Sequence, residues 1–224
     1  MRNISKMKNY FFGTAGFAKE VDWLTNELYN QSGIDFRPDF FVGEDTNPLI
    51  GKEINSVPVI SEKEFFNNHI EPSVNCIIAV ANPVIRRHIY NKIITSEKKV
   101  LFPNLIHPSV LFDKRINKIE FGIGNIVCAG VILTTDIIIK DFVHINLDCT
   151  IGHDCLISSF VTISPGVHIS GNVKIGDNVY IGTGAVFLER LEIKDNSIIG
   201  AGAVVVKSIE ESGTYVGLPA KKIK

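Results

Sequence analysis

Every sixth residue from position 121 is large and apolar: Phe121, Val127, Leu133, Ile139, Ile145, Ile151, Ile157, Ile163, Ile169, Ile175, Ile181, Phe187, Ile193 and Ile199. Two residues before each lies a second column, including Ile119, Val131, Ile137, Val143, Val161, Val167, Val173, Val179 and Leu191. It is β-branched or small in the main, with Asn125 and Ser197 as exceptions. Glycine often follows the first column, at Gly122, Gly152, Gly176, Gly182 and Gly200. An α-helix repeats about every 3.6 residues and a flat strand every two, so neither produces a period of six. Short strands joined by tight turns do, if they are wound so that one residue in six always points inward. Hexapeptide repeats of this kind stack into a parallel β-helix. The β-branched columns suit short strands, and the glycines suit corners where backbones approach. The solenoid is expected over residues 121–204. His107-Pro108-Ser109-Val110 reads as an earlier coil, and the charged stretch 113–118 as an inserted loop. The repeat establishes the period but not the hand of the coil, and most parallel crossovers are right-handed.

Before Pro103 the pattern is different. Residues 8–12 form a short apolar run that ends in Gly13-Thr14-Ala15-Gly16. Residues 17–30 have helical spacing, with Phe17, Val21, Leu24 and Leu28 on one face. Strand-like runs follow at 40–42, 57–60 and 74–80. Ser61-Glu62-Lys63-Glu64 carries a capping-box pattern that opens a short helix, and residues 83–96 read as another helix. Alternating strands and helices predict a small Rossmann-like parallel sheet with crossover helices. The expected organisation is an α/β domain over 1–102 and an all-β parallel β-helix over 103–224.

The balance of 23 basic against 24 acidic residues offers no electrostatic footprint for nucleic acid or an anionic membrane. No apolar run reaches the length of a membrane span, and the polar N-terminus does not look like a secretory signal. The four cysteines, Cys76, Cys128, Cys149 and Cys155, form no Cys-x-x-Cys pair, which fits a reducing cytoplasm. Cys149 and Cys155, one repeat apart, read as stacked core thiols.

The chain resembles the left-handed β-helix acyltransferases, in particular the sugar O-acyltransferases of the sialic-acid type and the nucleotide-amino-sugar N-acetyltransferases, which carry a small nucleotide-binding N-terminal domain. The residues that carry the likeness are Gly13-Thr14-Ala15-Gly16-Phe17-Ala18-Lys19-Glu20, Ile151-Gly152-His153-Asp154, Ile169-Ser170-Gly171-Asn172-Val173, Ile199-Gly200-Ala201-Gly202-Ala203-Val204 and the tail Gly217-Leu218-Pro219-Ala220-Lys221. The left hand of the coil comes from this resemblance.

Acyl transfer from a thioester requires a base for the nucleophile's proton, donors for the oxyanion and a groove for the CoA arm. His153 is the candidate base. It follows a corner glycine, histidine as a residue type can accept a proton near neutral pH, and Asp154 beside it can hold one tautomer and stabilise the imidazolium. The resemblance places the family's base at this His-acid pair. It also implies that Asn146 positions the acceptor sugar and that the Gly171 amide holds the oxyanion. Gly171 lies eighteen residues beyond His153, one full coil if three hexapeptides make a turn. Gly182, Ala201 and Gly202 are implied contacts for CoA, and Lys207, Lys221 and Lys222 for its phosphates. Thr162 is a departure, because related enzymes carry a second histidine there. In the N-terminal domain, Gly13, Thr14 and Gly16 open a helix whose amides favour phosphate. The resemblance makes this the pocket of a nucleotide-linked sugar, with Lys19, Glu44, Asp45 and Asn82 as further lining. Phe17 stands where the family usually has histidine.

The expected function is acetyl-CoA-dependent N-acetylation of a nucleotide-linked amino sugar, such as a 4-amino-4,6-dideoxy sugar, in surface-glycan (lipopolysaccharide or O-antigen) biosynthesis. Attack is direct, without an acyl-enzyme or a required metal. The resemblance also implies a cytoplasmic homotrimer. Sialic-acid-type O-acetylation is one alternative, and a non-catalytic solenoid that binds partners is a second. A zinc site shared by solenoid histidines is a third, for which the spacing here is a poor match. His144 and His168 read as surface or interface histidines, and His69, His88 and His107 receive no role.

Overall fold

The computed structural model describes residues 7–67, 73–96, 98–116 and 118–224. His69 lies outside the described residues, as do the first six residues and position 117 of the expected inserted loop. The chain forms two compact units. One holds the residues up to Val80 together with Ile85–Pro103; the other holds Ala81–Val84 and Asn104–Lys224.

The first unit is a six-stranded sheet built from β1 (Asn9–Phe12), β2 (Phe40–Gly43), β3 (Glu53–Ile54), β4 (Val57–Ser61), β5 (Val74–Ile78) and β6 (Val100–Leu101), in the order β3-β4-β2-β1-β5-β6. All pairings are parallel except the β3–β4 hairpin. The two-residue strands β3 and β6 are too short to leave a period in the sequence. Three helices accompany the sheet: α1 (Gly16–Ser32), α2 (Glu62–Asn67) and α3 (Pro83–Ile94). Val21, Leu24 and Leu28 of α1 are buried as the spacing predicts, joined by Ala18 and Thr25. The central strand β1 is buried along its whole length, and Phe11, Phe12 and Phe41 are fully enclosed. The capping box of α2 forms by half. The Glu64 amide donates to Ser61 Oγ at 3.0 Å, while the Lys63 amide is capped at 2.9 Å by Asp45 from the turn after β2.

The second unit is the solenoid. Through the body of the solenoid partner strands are offset by eighteen residues, as in Ile126↔His144, His144↔Thr162, Thr162↔Tyr180 and Tyr180↔Ile198. One coil is therefore three hexapeptides, and the coils build three parallel sheets. The first face carries Leu105–Ile106, Ile126–Val127 and their successors; the second carries Leu111–Phe112, Ile132–Leu133 and successors; the third carries Ile119–Phe121, Ile137–Ile139 and successors.

Two residues in six point inward, not one. The columns starting at Phe121 and Ile119 both line the core, and from Val127 to Ile199 both are buried throughout. A two-residue strand flanked by a corner directs the residue before the strand inward as well. The exceptions Asn125 and Ser197 are fully buried. Asn125 belongs to the first coil's capping, because its Oδ1 accepts from the Val143 amide and its own amide donates to Asn104 Oδ1, each at 2.8 Å. Cys149 and Cys155 are buried thiols but are not stacked. A six-residue separation sets them at different corners, where each bonds a carbonyl of the next coil, Ser164 O at 3.1 Å and Ser170 O at 3.3 Å.

The corners have a period of their own. Asp136, Phe142, Asp148, Asp154, Phe160, Asn172, Asn178, Arg190 and Asn196 all have φ between 55 and 60°. Asp and Asn tolerate this left-handed conformation better than other non-glycine residues. The inserted loop 113–118 leaves the second face and rejoins at the third, so it occupies the same edge as His153.

Candidate functional site

His153 occupies the edge between the second and third faces, just past the strand Thr150–Ile151. Its Nδ1 lies 2.7 Å from Asp154 Oδ2, and both side chains are more than half exposed. The αL backbone of Asp154, φ 60°, turns its carboxylate back onto the preceding ring. That bond fixes Nδ1 as the protonated nitrogen and leaves Nε2 to accept a proton.

Gly171 is the next residue up the same column. A Cβ at Gly171 would stand 2.6 Å from His153 Nε2 and 2.7 Å from Cε1. The imidazole therefore rests over the Gly171 α-carbon, and only glycine leaves room for it. The coils are joined here by the Asn172 amide donating to His153 O at 2.8 Å and the Arg190 amide donating to Gly171 O at 3.0 Å. Among the described residues the Gly171 amide itself donates to no acceptor. A base with its free nitrogen outward and an open amide one coil above can take a proton and hold a developing oxyanion.

The coil below His153 is polar and internally paired. The Asp154 amide donates to Thr135 O at 3.2 Å, and the Thr135 hydroxyl lies 3.0 Å from both Asp113 Oδ2 and Asp136 Oδ2. Arg115 binds Asp113 through side chain and backbone and holds its carboxyl well below the usual range. Lys118, 2.6 Å from Asp136, lowers the pKa of that group, helped by Thr135.

The three edges differ in how corner amides are satisfied. Between the third and first faces, four in succession are capped by a short side chain one coil on: Ile123 by Asp141, Asp141 by Ser159, Ser159 by Asp177 and Asp177 by Asp195, at 2.9 to 3.3 Å. Between the first and second faces, the Thr183 and Ala201 amides donate to no acceptor among the described residues. Gly182 and Gly202 lie on that same edge, as does Asn146, whose Oδ1 accepts from the Leu147 amide at 2.7 Å. One copy of the chain thus holds His153, Asp154 and Gly171 on one edge, and Asn146, Gly182, Ala201 and Gly202 on another.

Of the lysines, Lys207 is exposed on the His153 edge, three coils beyond. Lys222 is bound to Glu211 at 2.9 Å, which raises its pKa. Lys221 is exposed in the closing hairpin against Thr214–Val216. Thr162 is buried, and its hydroxyl donates to the Ala81 carbonyl. Position 162 faces out of the coil and is covered here by the Ala81 segment. His168 is exposed and bonded to Thr150 at 2.9 Å, whereas His144 is buried, so the surface reading fails for it. Among the described residues no group of three or more His, Cys, Asp or Glu could hold a metal ion.

In the first unit, the turn after β1 is shaped by Gly13. Its φ is 129° and a Cβ there would stand 2.6 Å from Ala79 O. Thr14 Oγ1 accepts from Asn47 Nδ2 at 2.8 Å, and Asn47 also bonds Glu44 O and the Leu49 amide. Asn47, which sequence reasoning missed, ties the glycine turn to the acidic turn; its signal was an Asn before Pro48. Gly16 and Lys19 lie exposed at the start of α1, and Glu44 is exposed beside them in sheet order. Asp45 is engaged as the α2 cap. Asn82 caps α3 through the Val84 amide at 3.0 Å. It also lines a cleft of about 340 Å³ with Asn178, Tyr180 and Asn196.

The bacterial transferase hexapeptide (six repeats) family matches residues 161–189 and 172–207. Among curated proteins no match is found. The acetyltransferase domain of PglB from Neisseria gonorrhoeae is 32% identical, with 97% of this chain and 100% of that one covered at a TM-score of 0.83; it has also been solved with acetyl coenzyme A. WeeI from Acinetobacter baumannii is 32% identical over the same shares, at a TM-score of 0.82. PerB from Caulobacter crescentus, solved with CoA and GDP-perosamine, is 24% identical, covers 97% of each chain at a TM-score of 0.82, and shares the fold. The coil of this architecture is left-handed, against the common hand of parallel crossovers.

Proposed function

The chain belongs to the left-handed β-helix, hexapeptide-repeat sugar acyltransferase family, and from that premise we propose that it transfers the acetyl group of acetyl-CoA to the amine of a nucleotide-linked amino sugar. The observation that carries this reading is the His153–Asp154 pair, 2.7 Å apart, lying over Gly171 with its uncapped amide. In the reaction His153 Nε2 takes the proton from the attacking amine. Asp154 keeps Nδ1 protonated and stabilises the imidazolium. The Gly171 N–H receives the charge that develops on the thioester oxygen, and the CoA thiolate leaves. The acetyl donor is supported by the likeness to the PglB domain solved with acetyl coenzyme A.

The two open edges support a homotrimer in which a site is shared. The His153 edge of one copy faces the Asn146–Gly182–Ala201–Gly202 edge of the next, and the CoA arm lies in the groove between them along uncapped amides. Lys207 stands three strand spacings along the edge from His153, about 14 Å, within reach of the CoA phosphates at the far end of the arm. The acceptor's nucleotide is held at the turn of Gly13, Thr14 and Gly16, with Lys19 for phosphate and Glu44 and Asp45 toward the base. Asn82 follows β5 in the chain and belongs to the second unit.

The test is a panel of nucleotide-linked amino and hydroxy sugars with acetyl-CoA, followed by free-thiol release. Amino sugars are expected to turn over and their hydroxyl counterparts to lag. His153→Ala is expected to lower kcat by ~10²–10⁴-fold. Wild-type turnover in that variant would remove the assignment, and preferred release with hydroxyl acceptors would redirect it to O-acetylation.

A further inference from the structure

On the closed edge of the solenoid, the corner amide is not left open by geometry. It is closed by a side chain of fitting length one coil on. Asp141, Ser159, Asp177 and Asp195 each present an oxygen two or three bonds from the α-carbon, and each accepts from the amide eighteen residues earlier. The same rule applied to the catalytic edge gives two pairs that involve the site. His153 would be capped by residue 171 and Gly171 by residue 189. Residue 171 is glycine and has no oxygen to offer. Residue 189 is glutamate, one methylene longer than the aspartates that cap, and its Oε1 is bound to Arg190 at 3.2 Å instead. Both amides stay open for these two separate reasons.

We infer that position 189 is one where a short acceptor is excluded: the length of Glu189 and its pairing with Arg190 leave its carboxylate off the Gly171 amide, which a shorter acceptor at 189 would occupy. This rests on the reading of Gly171 as the oxyanion donor. A capped amide already has its acceptor, and an anionic one competes directly with the transient oxyanion. Arg190 sits at an αL corner, φ 60°, where most of the series is Asp, Asn or glycine. Its guanidinium gives Glu189 a partner away from the amide.

Two variants separate length from charge. Glu189→Asp places a carboxylate at the reach of Asp195 over the next coil, and Glu189→Ala removes the acceptor altogether. Glu189→Asp is expected to lose kcat by ~10²–10³-fold, the usual effect of losing one oxyanion donor, with KM for both substrates and the melting temperature held. Glu189→Ala is expected to stay within a few-fold of wild type. Hydrogen exchange of the Gly171 amide, followed by NMR on ¹⁵N-glycine-labelled protein, is expected to slow in Glu189→Asp alone. Full kcat in Glu189→Asp, an unchanged Gly171 exchange rate, or an equal loss in Glu189→Ala would each overturn the inference. If the wild type acetylates no acceptor, the functional reading fails, while the exchange comparison still decides whether residue 189 can cap Gly171.

Discussion

Replacing Gly171 by alanine separates catalysis from folding in this solenoid. The new Cβ would stand 2.6 Å from His153 Nε2 and 3.0 Å from Cδ2. Ordinary contact between such atoms is about 3.5 Å, so the ring must retreat by roughly 1 Å. It can do so, because the imidazole is the far end of an exposed side chain. The strain of an off-rotamer ring is about 0.5–1.5 kcal/mol, largely offset by the ~0.4–1 kcal/mol that alanine gains over glycine through the unfolded chain. The melting temperature should move by no more than a few degrees. Catalysis has no such slack. A base displaced by about 1 Å costs ~10²-fold in rate, about 2.7 kcal/mol of barrier. Gly152→Ala is the contrasting variant. Its Cβ would meet the Gly171 backbone nitrogen at 2.7 Å and Ser170 C at 2.8 Å, and one coil cannot withdraw from the next. It should lose stability and activity together. Steady-state thiol release and thermal melts on both variants make the comparison. Gly171→Ala with wild-type kcat, or with a melting temperature that falls as far as Gly152→Ala, would refute the reasoning.

Asp154→Asn keeps an αL-tolerant residue and removes one charge-assisted bond between side chains more than half exposed, which contributes little to stability. It should melt like wild type and lose about tenfold or more in kcat, and equal turnover would detach Asp154 from the base. Burial pushes the Cys149 thiol up to about 11 and raises those of Cys76 and Cys155. All four cysteines are buried, so the folded protein should be inert to a thiol reagent at neutral pH, with four groups per chain reacting only after unfolding. Light scattering should give about three times the 24.8 kDa chain mass. Inactive His153→Ala and Asn146→Ala chains should recover part of the activity when reassembled together, which a site within one copy would not allow. Gly13→Ala should lower the melting temperature of the first unit, because φ 129° and the Ala79 carbonyl at 2.6 Å both oppose a side chain.

Much of this protein was legible in the sequence, because its scaffold is periodic. A solenoid core is the same contact repeated, so one apolar column from Phe121 to Ile199 announced it, and the phase of that column set His153 just past a corner. Even the αL series of Asp136, Asp148, Asp154 and Asn172 stood in the sequence at the same period, unremarked. The short strands β3 and β6 left no such trace. Partner choice across space was not legible either. Nothing local says that Asp45 caps α2, that Thr162 turns to Ala81, or that His144 is buried while His168 is exposed, since position six is equivalent in both repeats and only neighbouring chain distinguishes them. The sequence alone determined the period, the first inward column and His153 as the candidate base. The tertiary structure decided that three repeats close one coil, and so that Gly171 lies against the His153 ring. It also decided which edges keep their amides open, because an amide's fate depends on the side chain eighteen residues away.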